Sequence, residues 1–396
     1  MLKEKFYRKL NFIAGLVILL TIIVTVQALL LPTKTFELNG LHYTEYNNYI
    51  IFKQSFFHLI NHGNLYILYP NEQWDLYKYS PTFALCMAPL AILPDFLGLF
   101  IWNLLNSLTL ICALWNLPFQ NQNKKFVAIA FTLIELITSI QNSQSNGLIA
   151  GLIILAFIAM QKDKVWLATL FIISTVFIKL FGIVALSMLI LYPNRLKSIL
   201  YAVGWFITLT LLPLIVITPE QLFSLYKSWG TLLHNDQVIN YGLSVMGWLY
   251  TWFGLTLNKT LVVALGAILF CFPFINYKHF KDLKFKMFFI SSILLWVIIF
   301  NHKAESPTFI IAVAGIAIWY FYQKKKILNL LLLIFAFIFT VLSATDVFPT
   351  IVKRSFLEPY VMKAVPCILI WIKVSWDLIF YKSENDILSE KSSSYT

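Results

Sequence analysis

The sequence predicts an all-α, polytopic membrane bundle of about 12 spans, and three observations predict it. Hydrophobic residues fill 59% of the 396 positions, with a mean hydropathy of +0.77. Only 12% of the residues are charged, against roughly 25% in soluble globular domains. The apolar residues gather in runs of near-span length, and the cations sit in the short loops between them. The formal charge of +12 is therefore a set of topology signals, which excludes a nucleic-acid surface. The four cysteines, Cys86, Cys112, Cys271 and Cys367, lie far apart in apolar runs. With no CxxC, HExxH, GxSxG or phosphate-cradling glycine loop, neither a metal nor a nucleotide cofactor is expected.

Taken in order, Lys3, Lys5, Arg8 and Lys9 place the N-terminus in the cytoplasm. The apolar run that follows, about 10–31, exceeds the 7–15 residues of a signal-peptide core and reads as an uncleaved first span. It delivers an external loop, 32–80. That loop opens with an amphipathic helix in which Tyr49, Phe52, Phe56 and Leu59/Ile60 share a face, the pattern of an interfacial helix. Asn47 and Asn48 stand at its start as N-cap residues. The segment 81–93 is bounded by Pro81 and Pro94 and interrupted by Pro89. Its thirteen residues reach only about 20 Å as helix, so it dips into the outer side without crossing.

Further spans are expected near 96–115, 126–140, 146–160, 165–179, 180–193, 198–217, 259–277, 285–300, 307–322, 327–343 and 361–381. Lysines and arginines such as Lys124, Lys162, Arg195, Lys284 and Lys325 then fall inside, while Glu37, Glu45, Asp75, Asp236 and Glu305 fall outside. Both termini are cytoplasmic, in the inner (cytoplasmic) membrane of the cell. A second external loop, 218–258, carries another Trp- and Tyr-rich interfacial stretch. Residues 1–381 are read as one integral-membrane domain, and 382–396 as a disordered cytoplasmic tail. The pairs within 126–160 and 165–193 are short for spans, as helices that line a wet cavity are.

Several polar residues interrupt this frame. Lys179, in TVFIKLFGIV, is either a phosphate-binding cation or a snorkelling anchor. The run Gln141-Asn142-Ser143-Gln144-Ser145-Asn146 either binds sugar hydroxyls or caps helix ends. Glu135, deep in a span, either pairs with Lys179 or stays protonated. Glu305 beside His302 and Lys303 is a base with two cationic donors, or else a loop ion pair.

Four stretches carry a family resemblance: NNYIIFKQSFFHLINHGNLY (47–66), YKYSPTFALCMAPLAILPDFLGLFIWNLLN (77–106), SQSN (143–146) and the helical pair around Lys179. Over about 40–320 the chain resembles glycosyltransferase family 87. The resemblance implies a GT-C-like fold and inverting transfer of a hexose, such as mannose, from a polyprenyl-phosphate sugar to a lipid or glycan acceptor outside the membrane. It also implies a carboxylate base at the start of the first interfacial helix. Matching Gly63-Asn64-Leu65-Tyr66 to the family's glycine–acid–Leu–Tyr element puts that base's position at Asn48, whose amide cannot take a proton. Three readings follow. Glu45 substitutes; another external acid such as Glu305, Asp75 or Asp236 converges on the site; or the protein binds lipid-linked sugar without transferring it. A lipid-linked-sugar transporter is the other class, although no internal repeat supports it.

In the reading adopted, Glu45 or Glu305 is the base, and Lys179, His302 and Lys303 hold the donor phosphate. Tyr66, Trp74, Gln144, Asn146 and Trp248 contact sugar or lipid. No metal is implied, since no carboxylate pair is evident.

Overall fold

The structure, a computed structural model, describes residues 2–35, 40–235, 241–324 and 326–383. Expectations resting on Glu37, Asp236, Lys325 and the tail from 384 onward lie outside the described residues. Apart from a two-residue antiparallel ladder, β1 (Lys34–Thr35) against β2 (His42–Tyr43), the regular structure described is helical.

In chain order the helices begin with α1 (Leu2–Leu30), α2 (Asn47–Ile60), α3 (Pro81–Cys86), α4 (Ala88–Ala91), α5 (Asp95–Asn116) and α6 (Gln122–Gln141). Next come α7 (Asn146–Gln161), α8 (Val165–Ile178), α9 (Gly182–Ala185), α10 (Arg195–Leu211), α11 (Pro219–Asn235) and α12 (Val245–Phe253). The last are α13 (Lys259–Cys271), α14 (Leu283–Ile299), α15 (Ile310–Tyr322), α16 (Ile327–Ala336), α17 (Thr350–Val352) and α18 (Val365–Ile379).

Five stretches among the described residues are long and apolar enough to cross a membrane: Lys9–Leu30, Asp95–Asn116, Arg195–Ile215, Lys259–His279 and Ile327–Ala344. Asn146–Gln161, Val165–Ile178, Gly182–Leu191 and Ser306–Tyr322 are apolar but shorter. At 1.5 Å per residue α7 is about 24 Å long, below a hydrocarbon core of about 30 Å. The chain is a multi-pass helical membrane protein. The segment 81–93 is two short helices, α3 and α4, too short to cross. The helical pair around Lys179 breaks at that lysine, which ends α8 with extended backbone.

The chain divides into two compact units. The first holds α1 to α5, α6 from Leu133 onward, α7, α8, α10 and α11. Its core is a row in which α1 packs on α5, α5 on α7 and α7 on α8. Glycine sets the close approach of α5 and α7. A Cβ on Gly151 would lie 2.8 Å from the Leu110 nitrogen and the Thr109 carbonyl carbon, and one on Gly147 would lie 3.1 Å from the Asn106 oxygen. Two small residues four apart let helix backbones touch in this way. Buried polar groups pair across the same row. Asn103 Nδ2 donates to Thr25 Oγ1 at 3.3 Å, Thr21 Oγ1 to Ser107 Oγ at 3.3 Å, and the Leu148 N–H to Asn106 Oδ1 at 2.9 Å.

The second unit holds the start of α6 and α12 to α18. Its centre is α14, packed on α15 and α18. Ser291 Oγ donates to the Gly315 carbonyl at 2.7 Å, and Trp371 Nε1 to Ser292 Oγ at 3.0 Å. These bonds satisfy polar groups where water does not reach.

Candidate functional site

In the first unit the stretch before α2 and the loop between α6 and α7 build one polar cavity. Glu45 lies in the turn that leads into α2. The helix starts without a side-chain cap: Tyr46 is the N-cap residue, and Asn47 and Asn48 are already helical. This corrects the expectation that the two asparagines cap α2. Both reach outward to other segments instead. Asn47, buried, accepts from the Trp74 N–H at 3.4 Å, and Asn48 Nδ2 donates to the Asn142 carbonyl at 2.8 Å.

Trp74 is set by Tyr43, whose ring meets it edge-on at 6.0 Å and whose hydroxyl donates to the Pro70 carbonyl at 2.6 Å. Glu45, Asn47, Asn48 and Trp74 line a cavity of about 270 Å³ together with Gln27, Gln141 and Asn142. Gln141 Nε2 donates to Gln27 Oε1 at 3.2 Å. The cavity thus offers a carboxylate, several amides and one indole ring. Amides and an aromatic plane suit a polyhydroxylated ring; the carboxylate suits proton acceptance.

The loop after α6 holds this arrangement in place. Trp102 Nε1 donates to the Ser143 carbonyl at 2.8 Å. Asn146, fully buried at the start of α7, donates to Gln144 Oε1 at 2.6 Å and accepts from Lys179 Nζ at 3.1 Å. Gln144 and Asn146, expected to meet sugar hydroxyls, are buried and bonded to each other, and Asn146 is bonded to the lysine. Lys179 also lies 5.8 Å from the Tyr79 ring centroid and 5.6 Å from that of Phe181, near enough for cation–π attraction.

The Tyr-Ser-Pro-Thr element anchors the same region. Ser80 caps α3 by accepting from the Phe83 N–H, with Pro81 in the first turn, a favoured start. Its hydroxyl donates to the Phe177 carbonyl at 2.6 Å, two residues before Lys179. Under it, Phe52 meets Tyr79, Phe83 and Trp102 edge-on at 4.9–5.4 Å. The apolar side of α2 is therefore taken up by α3 and α4. Its polar side is paired: Lys53 to Asp95 at 2.6 Å and His58 to Glu72 at 3.0 Å. His58 stacks on Tyr69. Burial lowers its pKa from the usual imidazole range, more than the neighbouring Glu72 carboxylate raises it. Asp75 pairs with Lys78 at 3.2 Å. Tyr66 is buried, which pushes its phenol well above its ordinary pKa. It keeps its proton and donates to the Tyr79 carbonyl at 3.0 Å.

His302, Lys303, Glu305 and Trp248 belong to the second unit. The Lys303 N–H donates to Asn301 Oδ1 at 3.0 Å, and the Glu305 carbonyl accepts from Thr308 Oγ1 at 2.6 Å. Gly242 fits against the His302 carbonyl with positive φ and no room for a Cβ. Next to this turn Lys363 Nζ donates to Ser306 Oγ at 2.8 Å. Trp248 packs against the buried cluster of Leu357, Met362 and Val365. Among the described residues no three His, Cys, Asp or Glu side chains group as a metal set would.

Sequence reasoning did not single out Gln27 and read Asn47 only as a helix cap, whereas Gln141 and Asn142 belong to the amide run read as sugar-binding or helix-capping. The signal for Gln27 was an amide near the C-terminal end of an apolar span.

A polytopic helical membrane protein with a polar cavity holding one carboxylate is the class these features define. The model of glycosyltransferase family 87 matches residues 77–345, more than half of the chain, and the chain belongs to that family. The matched stretch holds Gln144, Asn146, Lys179, Trp248, His302, Lys303 and Glu305. Glu45, Asn48, Tyr66 and Trp74 precede it. No curated protein matches the chain.

Proposed function

We propose that this family 87 membrane glycosyltransferase moves a hexose, mannose among the candidates, from a polyprenyl-phosphate sugar to a lipid or glycan acceptor at the outer face of the cytoplasmic membrane, with a GT-C-like fold. The observation that carries the reading is that Glu45 and Asn48 line one cavity with Trp74. An acceptor hydroxyl attacks the anomeric carbon. The new C–O bond forms as the bond to the lipid phosphate breaks, and the phosphate leaves with the electron pair. Glu45 takes the hydroxyl proton, a role worth typically 10²–10⁴-fold. Asn48, whose Nδ2 is bonded to the Asn142 carbonyl, positions that loop and does not act as base.

Lys179 is assigned to the departing phosphate, whose charge grows in the transition state. Its bond to Asn146 supports a fixed position for the ammonium. Gln144 and Asn146 then act through the lysine, while Trp74 and Tyr66 shape the sugar side. For the second unit we carry forward His302 and Lys303 as phosphate ligands, Trp248 as a lipid contact and Glu305 as the competing base.

A second reading, a glycolipid-binding protein without transferase activity, draws on the amide at position 48. Sugar transfer by purified protein from a polyprenyl-phosphate donor, with Glu45→Gln and Glu305→Gln compared, separates the readings. Loss with Glu45→Gln alone supports the proposal. Activity that survives both changes overturns the assignment of the base. Donor binding without transfer to any acceptor favours the second reading.

A further inference from the structure

The second unit carries two adjoining concavities that no step of the proposed reaction uses. One is an apolar groove of about 660 Å³, within the range of ligand sites. Val127, Phe131, Phe321, Leu333 and Phe337 are among its walls. The rings form a ladder, Phe131 to Phe321 at 6.3 Å and to Phe337 at 6.0 Å. Several of these side chains are exposed, including Val127 and Phe337. Exposed apolar surface of this extent needs a cover, and on a membrane protein that cover is a lipid chain.

The groove's lining also includes Lys124, whose Nζ donates to Gln120 Oε1 at 3.1 Å, and Gln323. Gln323 and its neighbours also line the second concavity, about 370 Å³, with Lys284, Lys324, Tyr381 and Asp282. Lys284 is held over the rings of Phe288 and Tyr381, 5.7 and 5.9 Å from their centroids. Asp282, the acid lining this cavity, faces His279 at 3.4 Å. The two concavities together set three lysines against one carboxylate. Gln323 Oε1 accepts from Asn329 at 2.8 Å, and its Nε2 has no hydrogen-bond partner among the described residues.

We infer that this paired cavity binds an anionic phospholipid, with an acyl chain along the Phe131–Phe321–Phe337 groove and the phosphate headgroup among Lys124, Lys284 and Lys324. Basic pockets between membrane helices recognise headgroups through such charge complementarity. The inference uses none of the residues assigned to sugar transfer and stands independently of that assignment.

The test uses the full chain in nanodiscs that contain phosphatidylcholine and phosphatidylglycerol, with retained lipids read by native mass spectrometry. Wild-type protein retains phosphatidylglycerol over phosphatidylcholine by about tenfold or more, about 1.4 kcal/mol. Raising the salt erodes that preference, because exposed charges are screened. K124Q/K284Q/K324Q loses the preference. The wild-type comparison stands even if the triple variant does not fold. Equal retention of the two lipids by wild-type protein overturns the inference, as does an undiminished preference in a folded triple variant. Retention of an added polyprenyl phosphate in place of phosphatidylglycerol overturns it too.

Discussion

Replacing Asn146 with leucine tests how the loop after α6 holds Lys179. Asn146 is fully buried, so solvent cannot replace what it loses. The substitution keeps much of the side-chain volume but removes the acceptor of the 3.1 Å bond from Lys179 Nζ and the donor of the 2.6 Å bond to Gln144. A hydrogen bond to a charged group contributes about 1.5–3 kcal/mol and a neutral one about 0.5–1.5 kcal/mol, so a loss of about 2–4.5 kcal/mol is expected. Asn146→Asp keeps an acceptor beside the ammonium, adds an attractive charge and gives up only the donor to Gln144, so it costs less than leucine. Unfolding of both variants by SDS in mixed micelles, against wild type, provides the assay. If leucine changes stability by less than about 0.5 kcal/mol, the two bonds contribute little net energy and the loop does not depend on them. If aspartate is the worse of the two, the charge argument is wrong.

Two further predictions concern packing and pH. Gly151→Ala forces the α5 backbone to move, because its Cβ meets backbone atoms at 2.8 Å; a loss of about 1–3 kcal/mol is expected. Gly204→Ala, where nothing lies within 4 Å of the new Cβ, is neutral or slightly stabilising, and thermal unfolding of the two variants measures the contrast. His58 has a lowered pKa in the folded protein, so below the ordinary imidazole value of about 6.5 the unfolded chain binds a proton that the folded chain refuses. Its contribution to stability is therefore complete above that pH and declines as the pH falls through it. Glu72→Gln removes the charge that opposes the shift and lowers the His58 pKa further, which histidine NMR titration reads directly; an upward shift would contradict the assignment.

Local features of the fold were legible where the chain itself breaks a pattern. Lys179 ends α8 as its place in an apolar run suggested, and the amide run 141–146 spans the junction of α6 and α7. Pro81, Pro89 and Pro94 marked the short helices α3 and α4. Partners distant along the chain were not legible. Asn48 reads as a helix cap on local physics, yet its bond reaches 94 residues along the chain to Asn142. Tyr49, Phe52 and Leu59 lie on one helical face, and period alone does not say whether protein or lipid covers it; here α3 and α4 pack on the helix. Glu45 and Trp74 were singled out separately, and their shared cavity depends on Asn47 and Tyr43 tying the Trp74 segment to the start of α2.

The base assignment is tested most directly by the single-turnover rate of sugar transfer with Glu45→Gln, in protein whose donor affinity has been checked. A fall of about 10²–10⁴-fold in rate, with donor affinity within a few-fold of wild type, is the predicted result. An unchanged rate would show that the proton leaves the acceptor by another route and that Glu45 is not the base.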